Sequence, residues 1–161
     1  MSTIVVYCNT NRLLNIDARR GRGTLELEFP IEFIVDGTPV SFQAERAASK
    51  LEWKERVKAS SAIGLPEGHW ASEGRISATL YYFPSDRMQG DIDNIIKLVL
   101  DALSKHIYMD DSQVERIVVQ KFEPGNVFGF SSPSPALAAA LSRPKPVLYV
   151  RLSDDPFEEL I

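Results

Sequence analysis

One cysteine and two histidines are all that the 161 residues contain of the softer metal-ligating side chains, and long apolar runs are missing as well. Each shortage excludes something. A lone Cys8 rules out an internal disulfide and is what a protein kept in a reducing cytoplasm is expected to show. His69 stands in a Pro-Gly loop and His106 near the end of an apolar periodic segment; neither has the paired spacing of a zinc site, and both are expected to be ordinary surface residues. The longest apolar stretch near the start, Ile4 to Tyr7, is too short for a signal-peptide core or a membrane span. No internal repeat is visible. A basic excess is also lacking: 18 Lys and Arg face 22 Asp and Glu, which is not the balance of a typical nucleic-acid-binding domain. That deficit is local, because Asp154, Asp155, Glu158 and Glu159 at the end account for all of it. Apolar content of 44% with 25% charged residues predicts a soluble globular domain with one core.

What the chain does have is a concentration of aspartate. The stretch Gly90 to Val114, GDIDNIIKLVLDALSKHIYMDDSQV, holds Asp91 and Asp93, then Lys97 and Asp101, then Asp110 and Asp111. Between them Ile92, Ile96, Val99, Leu103 and Ile107 recur three or four apart, with Ile95 and Leu100 widening the stripe, so Asp93 to Ser104 is predicted to form an amphipathic helix. Asp93, Lys97 and Asp101 fall four apart on another face. Carboxylates gathered at the two ends of one short segment repel, by roughly 4 kcal/mol per close pair at ~4 Å and an effective dielectric of ~20. A hard divalent cation such as Mg2+ or Mn2+ relieves that repulsion and leaves coordination positions open for a phosphate.

The flanks are strands. Ile76, Ala78, Leu80 and Tyr82 alternate with Ser77, Thr79 and Tyr81, and Val114 to Phe122 is rich in β-branched residues. The first acid pair therefore sits between a strand and the helix, and the second just before the next strand. The two acid ends are expected to converge in space.

At these residues the chain resembles the RusA family of Holliday-junction resolvases. The resemblance rests on Asp91-Ile92-Asp93-Asn94, Lys97, Asp101-Ala102-Leu103 and Asp110-Asp111-Ser112-Gln113-Val114, in order and at the family's spacing. A looser likeness extends to Gly37, Pro39, Val40 and Ser41 and to the segment around Trp53 and Lys54, so that residues 29–152 are expected to be the RusA-like part. Residues 1–28 would be an N-terminal extension and 153–161 an acidic tail of a single domain spanning 1–161. The family is one of small homodimeric, Mg2+-dependent endonucleases that cut four-way DNA junctions. By resemblance Asp91, Asp93 and Asp111 would ligate the metal, with Mn2+ as an alternative ion, and Lys97 would be the fourth catalytic group. Asn94, Asp101 and Asp110 would support them, Asp101 by pairing with Lys97 and Asp110 by serving the turn.

Other readings of the same residues are weaker. Asp93 can serve as a helix N-cap, but capping leaves Asp91, Asp110 and Asp111 unexplained. Asp93, Lys97 and Asp101 can form a solvated ion-pair ladder. A calcium EF-hand needs an oxygen ligand, glycine and glutamate where Ile95, Ile96 and Ala102 stand. A phosphatase Asp-x-Asp motif expects a hydroxyl residue where Ile95 stands.

Contacts to DNA are expected from Arg19, Arg20 and Arg22 among glycines, from Lys50, Lys54, Arg56 and Lys58 beside Trp53, and from Arg87, the sole cation of Ser85 to Gly90. Many family members are more basic just before the acidic motif. Leu25 to Phe33 alternates as a strand, with Pro30 marking an edge or a break, and Gln43 to about Ser60 has helical composition. Glu123 to Pro146 holds five prolines around an alanine-rich turn, Ala136 to Leu141, and is expected to be a long loop or flap. Val147 to Leu152 closes the sheet, and the acidic end is expected to be solvated. The fold class is thus α/β (α+β), a mixed β-sheet packed against two principal helices. Three functions remain open: a cytoplasmic junction-cutting endodeoxyribonuclease, a metal-dependent phosphohydrolase on other nucleic acids or nucleotides, and a non-catalytic DNA-binding or assembly module. No membrane partner is expected.

Overall fold

Hydrophobic residues on both faces of β4, the last strand in the sequence, place it in the middle of the sheet. In the computed structural model, which describes residues 26–88 and 90–158, the elements run β1 (Ile31–Asp36), α1 (Ala47–Ala62), β2 (Ile76–Phe83), α2 (Ile96–Leu103), β3 (Val114–Lys121), α3 (Pro135–Ser142) and β4 (Val147–Ser153). Single 3₁₀ turns, Ile92–Ile95 and Asp111–Gln113, precede α2 and β3. The strand order is β1-β4-β2-β3. β4 pairs antiparallel with both neighbours, Ile31 facing Leu152 on one side and Leu80 facing Val150 on the other. β2 and β3 are parallel, because α2 intervenes as the crossover that a parallel pair requires.

The sheet is covered on both faces. On the front, α1 and α2 pack over Phe33, Val35, Ala78, Leu80, Val150 and Leu152 through Trp53, Val57, Val99 and Leu103. On the rear, Leu137 and Ala140 of α3 meet Phe83, Val147 and Tyr149. Eight residues are too few for a helix to persist alone in water. α2 is held by burying Leu98, Val99, Leu100, Ala102 and Leu103; a fully buried aliphatic side chain contributes about 1.5–3 kcal/mol. Polar side chains on its outer face are thereby mounted on a rigid element.

The mixed-sheet α+β expectation holds, with three corrections. The first strand is Ile31–Asp36 rather than Leu25 to Phe33; Leu25 lies outside the described residues, and Leu27 and Phe29 pack against the core without joining the ladder. The β1–β4 ladder ends with Ile31 opposite Leu152, and Pro30 has no N–H to extend the pairing. The alanine-rich turn is a third helix, α3, in place of a flap. Ser134 Oγ accepts the Leu137 N–H at 3.1 Å, Pro135 fills the first turn, and Lys145 donates to the carbonyls of Ala140 and Leu141 at the other end. Lastly, the acidic end is docked as far as it is described: Glu158 pairs with Arg151 and accepts from Ser153 Oγ, and the Arg75 guanidinium lies over the Phe157 ring. No helix among the described residues is long and apolar enough to cross a membrane.

Candidate active site

The whole acidic motif lies on the β2-to-β3 crossover. The chain leaves β2 at Phe83 and turns through the 3₁₀ segment Ile92–Ile95, where Ile95 is buried and anchors the turn. Asp91 is the residue that precedes this turn, yet its side chain makes no capping hydrogen bond; Asp93 sits in the first turn. Both are exposed, and neither side chain has a hydrogen-bond or ion-pair partner among the described residues. Capping therefore does not account for them. Asn94 contributes its carbonyl, which accepts the Phe42 N–H at 3.3 Å and ties the loop before α1 to the motif.

Lys97 is the hub of the site. Its Nζ lies 2.6 Å from Asp101 Oδ1, one turn along α2, and 3.1 Å from Asp111 Oδ2 on the far side of the crossover. Asp101 in turn lies 3.8 Å from Lys54 Nζ on α1. The result is an alternating row, Lys54, Asp101, Lys97, Asp111. Hydrogen bonds donated to Asp101 and then to Asp111 raise the Lys97 pKa above its ordinary value, so the ammonium is charged throughout the physiological range. Beneath the row lies Tyr108, fully buried, its hydroxyl donating to the Leu100 carbonyl at 2.8 Å. Burial first, and the negative charges of Asp111 and Asp101 second, push its pKa far up and keep the proton on the phenol.

A tight return brings Asp111 to this row. After Leu103 the Ile107 N–H closes on the Leu103 carbonyl, Lys105 takes a left-handed φ of 59°, and its N–H reaches the Tyr108 carbonyl. Asp110 and Gln113 then form a reciprocal cap. Asp110 Oδ1 accepts the Ser112 N–H at 2.9 Å, while Gln113 Oε1 accepts the N–H groups of Met109 and Asp110, each at 2.8 Å. The same Gln113 amide donates to the carbonyls of Ser72 and Gly74 at 2.9 and 2.6 Å. One side chain thus clasps residues 72–74, just before β2, to the turn that presents Asp111. Hydrogen bonding with Ser112, through its side chain first and its backbone N–H second, holds the Asp110 carboxyl below its usual pKa.

The carboxylates do not close into one ligand group: among the described residues no three His, Cys, Asp or Glu side chains stand together as a metal site. Asp111 is joined to α2 through Lys97 instead. The donor chemistry still suits a hard divalent ion, since Asp91 and Asp93 offer exposed, unpartnered oxygens two residues apart. Mg2+ is commonly held by one or two carboxylates and completes its shell with water and phosphate oxygens.

The remaining basic residues divide. Lys50 lies over the Phe42 ring, its Nζ 5.3 Å from the centre, and Lys54 belongs to the charged row. Arg56 is engaged by Glu52 at 2.9 Å and by the Asp36 carbonyl at 3.3 Å, and Lys58 is exposed near His106. Arg87 is exposed close to Glu123. Arg19, Arg20 and Arg22 lie outside the described residues. Spacing did not reveal Tyr108, the Lys54 to Asp101 link or the reach of Gln113 to Ser72, all of which need the tertiary fold; the one local signal was an aromatic two residues before the Asp-Asp pair. The histidines are likewise not ordinary surface. His106 Nε2 lies 3.0 Å from Ser61 Oγ, and His69 bridges the carbonyls of Pro66 and His106, each at 2.9 Å.

No curated protein matches the chain significantly. A family model described as Endodeoxyribonuclease RusA matches residues 39–128, a narrower span than 29–152 but one that contains the entire acidic motif and α1. That match covers more than half of the 161 residues, and the chain belongs to the RusA family of endodeoxyribonucleases.

Proposed function

We propose that the protein is a Mg2+-dependent endodeoxyribonuclease that resolves four-way DNA junctions by paired phosphodiester hydrolysis, acting as a homodimer. The observation that carries this reading is the placement of Lys97 between Asp101 and Asp111, on the same crossover that bears the unpartnered Asp91 and Asp93. Asp91 and Asp93 would hold the metal, and Asp111, paired with Lys97 in its absence, would join them when it binds. When bound, it lowers the pKa of a coordinated water and neutralises charge on the phosphate. The chain's own groups do the rest. Lys97, a point charge on a flexible stem, binds a non-bridging phosphate oxygen, exchanging one carboxylate partner for the phosphate. Asp101 keeps the ammonium aimed, with Lys54 offsetting its charge. The Asp110 and Gln113 cap fixes the backbone from which Asp111 projects, and buried Tyr108 supports the base of the site. The catalytic set is therefore Asp91, Asp93, Lys97 and Asp111, with Asn94, Asp101 and Asp110 as supports. A two-fold dimer presents this set twice to a two-fold junction, which is what paired symmetric nicks require.

Incubating the full chain with an end-labelled four-way junction in Mg2+ or Mn2+ tests the reading. Symmetric nicks in opposing strands are expected, lost in Asp93→Asn while junction binding persists. No cleavage with either ion overturns the nuclease assignment; equal cutting of nucleotides, single strands and junctions overturns the structure selectivity.

A further inference from the structure

Four phenylalanine or tryptophan rings are exposed among the described residues, and their surroundings differ. Phe157 is covered by the Arg75 guanidinium, 4.8 Å from the ring centre and held in place by two hydrogen bonds to Glu115. Phe128 packs on Phe122, their centres 4.6 Å apart, within the rear aromatic cluster. Trp70 walls a groove of about 480 Å³ rimmed by Glu26, Glu73 and Asp154, a setting that repels phosphate. Phe42 stands apart. It is 49% exposed, its N–H is bonded to Asn94 in the acidic motif, and Lys50 lies over its ring. Lys54, one turn further along α1, leads on to Asp101 and Lys97. The turn that carries the ring is itself fixed, with the Gln43 N–H on Ser41 Oγ at 3.1 Å and the Ala44 N–H on the Ser41 carbonyl at 3.0 Å.

We propose that Phe42 is a stacking platform for an unpaired nucleobase beside the scissile phosphate, that Lys50 holds the neighbouring backbone phosphate, and that this ring gives the enzyme its preference for branched over continuous duplex DNA. The inference rests on the nuclease reading and adds the means of substrate selection. In an uninterrupted duplex every base is stacked on both sides. A free π-face appears where a strand leaves the stack, at an exchange point or a bulge, and a ring beside Lys50 and Lys54 is a surface that captures it without regard to sequence. Lys50 has a four-carbon stem long enough to move from the ring to a phosphate when a base takes its place.

The test uses the full chain carrying Asp93→Asn, so that binding is read without cutting, and three DNAs of equal length: a four-way junction, a duplex with one unpaired base, and a matched duplex. Adding Phe42→Ala lowers affinity for the first two by roughly 5- to 100-fold, the range that alanine substitution of stacking aromatics produces. Matched-duplex binding stays as it was. Phe42→Trp restores the preference, and Lys50→Ala weakens all three DNAs alike. A 5-iodouracil at the exchange point photocrosslinks to the peptide containing Phe42. Unchanged preference in Phe42→Ala, equal loss on all three DNAs, or a crosslink mapped elsewhere overturns the proposal. A chain with wild-type Asp93 that binds junctions but never cuts them refutes the nuclease reading and leaves the role of the ring measured, whereas cutting with an unaltered Phe42→Ala preference refutes the ring alone. Binding to none of the DNAs sinks both.

Discussion

Replacing Gln113 isolates the contribution of the clasp behind Asp111. Its amide makes four hydrogen bonds to backbone, accepting from Met109 and Asp110 and donating to the Ser72 and Gly74 carbonyls. A net worth of ~0.5–1.5 kcal/mol applies to each such bond, with the lower end appropriate where water can replace the partner, so Gln113→Ala should cost about 2–3 kcal/mol. For a domain of this size that is a fall of roughly 4–12 °C in melting temperature. Gln113→Glu is the sharper perturbation. It keeps the shape and the two accepting contacts, but sets a carboxylate oxygen against two carbonyl oxygens, so it should be more destabilising than alanine despite being isosteric. Melting followed by circular dichroism gives the stabilities, and junction cleavage over a Mg2+ titration gives the consequence for Asp111, expected as a higher Mg2+ requirement. Gln113→Glu melting at or above Gln113→Ala, or both variants keeping the wild-type melting point, would show that the clasp does not hold the turn.

Lys97→Met should abolish cleavage by about 10²- to 10³-fold, as loss of one preorganised donor does, while moving the melting point little, since exposed ion pairs contribute at most ~1 kcal/mol each; a large loss of stability with retained activity would contradict the phosphate-binding role. Leu103→Ala, at a fully buried position where α2 meets the sheet, should cost about 2–5 kcal/mol, measured by urea unfolding, and a cost below 1 kcal/mol would show that α2 is not anchored as described. Burial, with His69 and Lys58 nearby, lowers the His106 pKa from its ordinary 6.5. The unfolded chain then takes up this proton first as pH drops below 6.5, so stability is full above that value and declines below it until the folded-state value is passed. His106→Gln should flatten that part of a melting-temperature profile recorded from pH 7.5 downwards, and an unchanged slope would remove the assignment.

Three strands were legible because their signal is local. Ile76 to Tyr82, Val114 to Phe122 and Val147 to Leu152 each lie within a residue of the observed β2, β3 and β4, since β-branched and aromatic runs bounded by Pro, Asp or Ser leave few alternatives. β1 was misplaced because its limits are set by a partner 121 positions away, Leu152 opposite Ile31, and not by its own alternation. α3 was obscured by the prolines around it, although Ser134-Pro135 is a cap followed by a first-turn proline and could have been read as a helix start. In the site, four-residue spacing brought Lys97 to Asp101 through helix geometry alone. The link from Asp101 to Lys54 crosses between α1 and α2, and the Gln113 clasp spans 41 positions; no periodicity encodes either.

The formal charge of −4 misleads for a related reason, since it sums over two faces that DNA does not meet together. Alternation along the strands sends Glu32, Arg151 and Ser153 to the rear, where Glu32 accepts from Ser134 and Tyr149, and Glu158 is bound to Arg151 and Ser153. Those acids are spent on holding α3 and the C-terminal segment to the sheet. The front carries α1 and α2, and there Lys50, Lys54 and Lys97 run from Phe42 to Asp111, interleaved with Asp101 and beside Asp91 and Asp93, whose charge a bound cation would offset. A phosphate backbone approaching the front meets this row at close range, while the rear charges lie behind the thickness of the sheet, near or beyond the ~8 Å over which physiological salt screens them. Junction binding should therefore weaken with added salt in proportion to the few phosphates the front contacts. Charge reversal at Glu158 should leave that salt dependence unchanged, and Lys50→Glu should reduce it. If reversal at the rear alters the salt slope as much as reversal at the front, the faces are not electrically separate and the front lysines are not what DNA reads.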